Sequence, residues 1–543
     1  MSVQADPDCV SVVLGRRFSR SPKGHGCART PAAAARVLCA EGWGSYVALL
    51  RAPEGDWHVL RDPSGTVEAY TWRRNDLHVV ASGMADIPAC LLPPHLAIDW
   101  SAIADFLARP DSILTRTALE GIAVVCPGDV QPVGSRGADA TVIWRPRDHL
   151  PRAGAGDREW ASVMAETLYD VVARLAEPYQ RLMVEVSGGF DSSLVAAAIN
   201  RTGAGPKVVS ALHYVGDRRE SDERVWAADA CRSAGLPMET VPRSRAPYDP
   251  DFEFADVSRD ARPIYAALDG LRDRDTAERL RCSGAEALFT GKGGDAIFFS
   301  MPSPRVIADL WRDRGLRAIR DPLNAETARW LRRSVWSLWR EAFAKHHAFR
   351  NLSLGPFAGP NYRADTSRPS HPWLSQLDAA PPGKAVQINA LVSIQAAIGF
   401  GRRGQVADII QPLLAQPMVE LCLSIPTWRL IGPGRDRGLA RAAYAAWLPQ
   451  SVAQRRSKSR LTSAYARRLA GGLPAIRDHL LGGVLVDAGL LDGAAIDVAL
   501  RDEDLMERGD GLALFQAASV ESWVRHWQTR IPDAAHAPRR QAA

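Results

Sequence analysis

Residues Val184 to Ser193, VEVSGGFDSS, run from an apolar strand pattern through a glycine pair into a helical pattern. A turn of that kind lines up backbone N–H groups with a helix amino terminus and makes a cradle for phosphate oxygens. Gly188 and Gly189 let a nucleotide approach the backbone closely, Ser187, Ser192 and Ser193 carry hydroxyl donors, and Asp191 has the charge to hold magnesium against the phosphates. An ordinary strand-to-helix turn capped by Asp or Ser is the plainer reading, and the order of elements favours the nucleotide site. Leu288 to Phe298, LFTGKGGDAIF, repeats the arrangement, with a strand running into Gly291, Lys292, Gly293 and Gly294 and ending on Asp295. If the sheet brings the two turns side by side, Asp191 and Asp295 share a metal from two strand ends. A third segment begins at Ile409-Ile410-Gln411-Pro412-Leu413, passes Arg435-Asp436-Arg437 and Leu448-Pro449, and ends at Arg455-Arg456-Ser457-Lys458-Ser459-Arg460. Lysine is rare in this chain, six residues in all, so Lys292 and Lys458 are places where a compact ammonium is wanted; a solvated basic loop is the plainer reading of the last run.

The elements that must position these turns follow from periodicity. Residues 9–15, 45–50, 57–61, 67–72 and 77–81 are short runs rich in β-branched and aromatic residues, which predict antiparallel strands, with Asp62-Pro63-Ser64-Gly65 as a turn between two of them. A helix is predicted near 101–108, a turn at Pro127-Gly128-Asp129, and an interdomain linker over 145–157. Helical spacing over 159–177 precedes the strand Leu182 to Val186; a helix from near Ser192, a strand at 208–215, a helix over 221–234 and a strand near 238–242 follow. Alternation of this kind implies a parallel sheet covered by helices. From about 303 the pattern is mostly helical, and residues 350–384, rich in Pro and Gly, read as a long loop for which mobility and a place lining the site are both open.

At 543 residues the chain is long enough for two domains. No apolar run approaches the roughly 20 residues that span a bilayer, and the amino terminus lacks a secretory pattern, so a cytoplasmic protein is expected. Eight cysteines without a CxxC pair fit reduced thiols better than a disulfide framework or zinc site. The net charge of +6 is modest, and nucleic acid is not expected as a partner.

SGGFDSS at 187–193 resembles the pyrophosphatase loop, Ser-Gly-Gly-x-Asp-Ser-Ser, of the asparagine-synthetase superfamily, and GKGGD at 291–295 resembles its second loop. The resemblance implies ATP and Mg2+, an acyl-adenylate, and release of AMP and pyrophosphate. Lys458, after Leu448-Pro449 and an arginine pair, then matches the lysine that neutralises charge at the α-phosphate. Lys292 stands where asparagine synthetases carry glutamate and β-lactam synthetases tyrosine, which makes it a charge beside substrate or phosphate rather than the expected base. The amino-terminal third resembles the family's glutaminase domain in degenerate form, because Ser2 stands where the nucleophilic cysteine belongs and the first cysteine is Cys9. The implied fold is an α/β chain: residues 1–150 a glutaminase-like, antiparallel β-rich domain, and residues 151–535 a parallel-sheet synthetase domain with a helical carboxy-terminal portion. WGSY at 43–46 followed by RDPSG is similar to the start of lasso-peptide macrolactam cyclases. That subtype implies a precursor peptide as substrate, with a leader peptidase and a leader-recognition protein as partners and no membrane. A β-lactam synthetase or glutamine-independent ligase on a small amino acid, and a non-catalytic nucleotide-binding scaffold for a partner protease, are the alternatives.

Overall fold

A computed structural model describes the chain except for residues 1–2, 7–10, 21–29, 109–114, 136–138, 152–158, 217–221, 264–268, 302, 345–356, 364–370, 376, 399–400, 433–434, 456–467, 469, 502–510 and 532–543. Among the described residues the amino-terminal part has nine strands: β1 (Val3–Asp6), β2 (Ser11–Ser19), β3 (Gly42–Arg51), β4 (Trp57–Arg61), β5 (Tyr70–Arg74), β6 (Leu77–Ala81), β7 (Ala123–Val124), β8 (Asp129–Pro132) and β9 (Thr141–Val142). They form two antiparallel sheets, in the orders β1-β2-β3-β4-β8-β9 and β6-β5-β7. The turn expected at Asp62 to Gly65 closes with the Gly65 N–H on the Asp62 carbonyl at 3.2 Å.

The second half is organised by a five-stranded sheet whose every pairing is parallel. Its strands are β10 (Leu182–Glu185), β11 (Val208–Val215), β12 (Met238–Pro242), β13 (Ala287–Phe289) and β14 (Asp408–Ile410), in the order β12-β11-β10-β13-β14. β10 is apolar from Leu182 to Val184 because both of its faces are covered there. Leu182 and Val184 join a core containing Leu168, Val172 and Leu194. Met183, on the opposite face, joins Leu212, Leu280 and Leu288. From β10 the chain builds outward to β11 and β12, then returns to the other side for β13 and β14. That reversal is the topological switch point, and the crevice beyond the carboxyl ends of β10 and β13 is where such sheets bind ligands. The register Leu182↔Ala287, Met183↔Leu288 and Val184↔Phe289 brings the two glycine turns out level with each other.

The described residues of 350–384 are more structured than the expected loop. Pro372–Leu374 and Leu377–Ala379 are short 3-10 helices, a long helix (Pro382–Ala396) starts inside the segment, and His371 and Trp373 are buried. None of its described residues lines the crevice, because the apolar Trp373 and Leu374 are drawn into the core instead. The linker is also partly structured: Pro146–His149 is a 3-10 helix, and His149 stacks on Trp144.

The amino-terminal sheets are joined to the rest by polar contacts that range from exposed to fully buried. The Trp144 indole donates to Glu420 at 2.8 Å, the Gln416 amide and Arg20 donate to the same carboxylate at 2.7 and 2.8 Å, and Gln416 also donates to the Cys39 carbonyl. The Gln395 amide donates to the Ser64 carbonyl at 3.1 Å, and Glu68 bridges Arg61 and Arg262 in a fully buried ion triad. Glu420→Ala strips the partner from an indole, an amide and a guanidinium at once. It should cost about 1–3 kcal/mol, read as a lowered denaturant midpoint with an unchanged slope. No helix among the described residues is long and apolar enough to cross a membrane.

Candidate active site

The crevice at the switch point is a cavity of about 990 Å³. Ser187, Gly189, Asp191 and Ser192 from the first turn line it together with Gly291, Lys292 and Asp295 from the second. Gly188, Gly293 and Gly294 lie behind this surface, and Ser193 is 1 % exposed, so its hydroxyl does not reach the cavity.

The first turn is fixed by its own hydroxyls. The Ser187 N–H donates to Ser192 Oγ at 3.0 Å, the two serine hydroxyls are 2.9 Å apart, and the Gly189 N–H donates to Ser187 Oγ at 3.2 Å. Gly188 takes φ +81, and a Cβ there would stand 2.9 Å from the Glu223 carbonyl oxygen, so only glycine lets the turn lie on the next helix (Arg224–Ser233). The helix Phe190–Arg201 then begins with Asp191 in its first turn. The second turn packs directly on it: a Cβ at Gly291 would lie 2.4 Å from the Ser192 nitrogen, and one at Gly294 would lie 2.3 Å from Asp191 Cγ. The glycines of the second turn thus serve loop-on-loop packing as much as room for a ligand.

The two aspartates converge, as expected, and the third segment meets them there. Arg437 donates to Asp191 from Nε (3.0 Å) and Nη2 (2.9 Å), and its Nη2 also bonds Asp295. Its Nη1 holds Asp436 at 2.6 Å, and Arg441 holds the same carboxylate at 2.9 Å. Burial opposes the Arg437 charge, but the Asp191 and Asp295 carboxylates outweigh it and raise its pKa above the usual arginine value. Arg437 and Phe299 both take positive φ, 53 and 59, and the Arg437 N–H reaches the Phe299 carbonyl. Two non-glycine residues held in the left-handed region at one site mark a backbone shaped for more than folding. Arg455 stacks on Trp226, donates to the Gly188 carbonyl at 3.0 Å and pairs with Glu223 at 2.5 Å, so the start of the basic run is pinned to the first turn. Lys458 lies outside the described residues.

Lys292 donates to the Ala397 carbonyl, just past the helix that holds the Asp62–Gly65 turn through Gln395. Burial and the charge of Arg403 lower its pKa to about 8, against an opposing pull from Glu185. Glu185, at the end of β10, pairs with Arg272 at 3.1 Å and Arg403 at 3.0 Å. Burial would raise its pKa, but Arg272, Arg403 and Lys292 outweigh that and hold it low. Sequence reading gave no role to Glu185, Arg272, Arg403, Arg437 or Arg455. Glu185, Arg437 and Arg455 stood inside quoted motifs; Arg272 and Arg403 carry no spacing that marks them.

The donors suit magnesium. Two carboxylates on separate loops converge, and magnesium commonly takes one or two carboxylates and completes its shell with phosphate and water. The Arg437 guanidinium shows that a cation is accommodated between them.

Against models of known families, the chain matches asparagine synthase over residues 164–396 and 403–525, which takes in both turns and the segment carrying Arg437 and Arg455. No curated protein matches it.

Proposed function

The chain belongs to the asparagine synthase family, whose members are ATP-dependent amide-bond-forming ligases, and on that premise we propose that it is a macrolactam synthetase acting on a precursor peptide. In this reading an Asp or Glu side-chain carboxylate of the peptide attacks the α-phosphorus of ATP and pyrophosphate leaves. The peptide's amino-terminal amine then attacks the acyl carbon, AMP leaves, and an isopeptide bond closes with net loss of one water. The observation that carries the reading is the junction of the two glycine turns at the switch point, with Asp191 and Asp295 converging in the lining of one cavity. The volume of about 990 Å³ is at the upper end of the ~300–1,000 Å³ range of ligand pockets, which suits a nucleotide with a second substrate beside it.

The first turn binds phosphate with its N–H groups at the head of the helix Phe190–Arg201. Asp191 and Asp295 would hold the magnesium, which supplies charge neutralisation at the phosphates. Lys458, three residues beyond the anchored Arg455, supplies a compact charge at the α-phosphate. Lys458→Ala should slow pyrophosphate release by at least about a hundredfold, with Lys458→Arg impaired too because a planar guanidinium does not replace a point charge.

Lys292 lines the cavity from the second turn and has its pKa brought down to about 8; in this reading it takes the amine's proton, a role beyond the charge beside substrate or phosphate that its sequence position implies. Its neutral form accepts a proton and its charged form does not. Ring closure should therefore rise as pH increases through about 8, and Lys292→Met should flatten that limb while pyrophosphate release keeps its own profile. A rate that falls through the same range removes Lys292 as the acceptor. In this reading residues 1–150 are a scaffold without glutaminase chemistry, and a leader peptidase and a leader-recognition protein deliver the peptide.

Incubating the protein with ATP, Mg2+ and a candidate precursor peptide should give AMP, pyrophosphate and a product one water lighter. Pyrophosphate release with free amino acids alone would favour a small-molecule ligase, and ADP with phosphate would end the assignment.

A further inference from the structure

Arg437 is a buried guanidinium that closes the space between the two carboxylates the family chemistry needs for a cation. Its side chain is 7 % exposed, against 13 % for Asp191 and 45 % for Asp295, so it is the most buried of the three groups, and it lines the cavity with both aspartates. It bonds Asp191 twice and Asp295 once from the left-handed backbone position at φ 53, while Asp436 and Arg441 brace it from behind. We propose that Arg437 is the resident counter-ion of the Asp191–Asp295 pair and that magnesium enters only by exchange with it, the guanidinium moving to the phosphates the nucleotide brings. This rests on the nucleotide-site reading above.

The physics is a competition for the same oxygens. A magnesium ion needs carboxylate oxygens at about 2.0–2.1 Å in near-octahedral geometry, which a guanidinium sharing those oxygens does not allow. Magnesium alone would have to shed water and leave the buried Arg437 with Asp436 in place of three carboxylates, a loss of ion pairing at a buried cation. A nucleotide changes the balance, because phosphate oxygens accept a bidentate guanidinium as well as carboxylates do. Arg437 thus couples metal affinity to the presence of phosphate, and by reciprocity phosphate affinity to the metal. It is a positioning residue, since it acts on the metal through Asp191 and Asp295.

The test uses the full-length protein and Mn2+ as the probe, read by electron paramagnetic resonance of the free ion without nucleotide, so that it does not depend on turnover. Arg437→Gln should bind Mn2+ alone roughly tenfold or more tightly than the wild type, the size of an ordinary coupling between sites. Added pyrophosphate should tighten Mn2+ binding in the wild type and do so far less in the variant. The pair Arg437→Gln/Asp295→Asn removes one of the facing charges, covers the case in which the single variant does not fold, and should lose the gain in Mn2+ affinity. Equal Mn2+ affinity in wild type and Arg437→Gln, or a pyrophosphate response of the same size in both, would overturn the proposal. Loss of ATP turnover in a protein that still shows the Mn2+ pattern would count against the ligase reading alone, which keeps the two failures distinct.

Discussion

Asp191→Asn is expected to lower pyrophosphate release by at least about a thousandfold at saturating magnesium, with near-UV circular dichroism retained. Asp191 has two tasks at the same point. It opens the helix Phe190–Arg201 with its carboxylate toward the cavity, and it anchors Arg437 through both Nε and Nη2. Asparagine keeps the shape and some of the hydrogen bonding but removes the charge. The substitution therefore tests charge at the phosphates rather than packing. The fold should survive, because the side chain is 13 % exposed and faces the cavity, outside the apolar core. Asp295→Asn should fall in the same direction, since its carboxylate faces the same guanidinium from the second turn. Wild-type turnover in Asp191→Asn would remove that residue from the site.

Gly291→Ala should reduce pyrophosphate release by more than about a hundredfold, the scale on which a misplacement near 1 Å acts. It should also lower stability by about 1–3 kcal/mol. The added methyl would lie 2.4 Å from the Ser192 nitrogen, 2.6 Å from its Cα and 2.7 Å from the Asp191 carbonyl carbon, all backbone atoms that no rotamer change can clear. The turns must separate, and Asp191 and Asp295 separate with them. The informative contrast is Gly203→Ala. Gly203, at φ +80, has open space around its Cβ position, so that variant pays the backbone strain of a positive φ without disturbing the site and should keep its turnover. Normal turnover in Gly291→Ala would show that the contact between turns does not set the site's geometry.

Much of the fold was legible in local pattern. β4, β6, β11 and β12 occupy the residues that periodicity predicts, and the helix expected over 159–177 runs from Trp160 to Ala176. Patterns of period 2 and 3.6 report a buried face, and buried faces are what these elements have. The described part of 350–384 departs from a plain loop because Pro and Gly mark where regular structure breaks but not what the segment packs against. Trp373 and Leu374 had a core to join, and local sequence does not show one.

The site divides along the same line. By itself the sequence determined the two turns, since Ser-Gly-Gly-x-Asp-Ser-Ser and Gly-Lys-Gly-Gly-Asp are local solutions to bringing backbone N–H groups and a carboxylate to a strand end. It did not determine that the turns touch, which follows from β10 and β13 being neighbours in a parallel sheet and from a register that sets them level. Nor did it determine that Arg437, 246 residues from Asp191, lies between the two aspartates, or that Arg455 pins the basic run to Gly188. Arginine is abundant in this chain, so no single arginine stands out by type. A guanidinium acquires a role from the carboxylates placed around it, and that placement is made by strand order and helix packing, at separations no local pattern records.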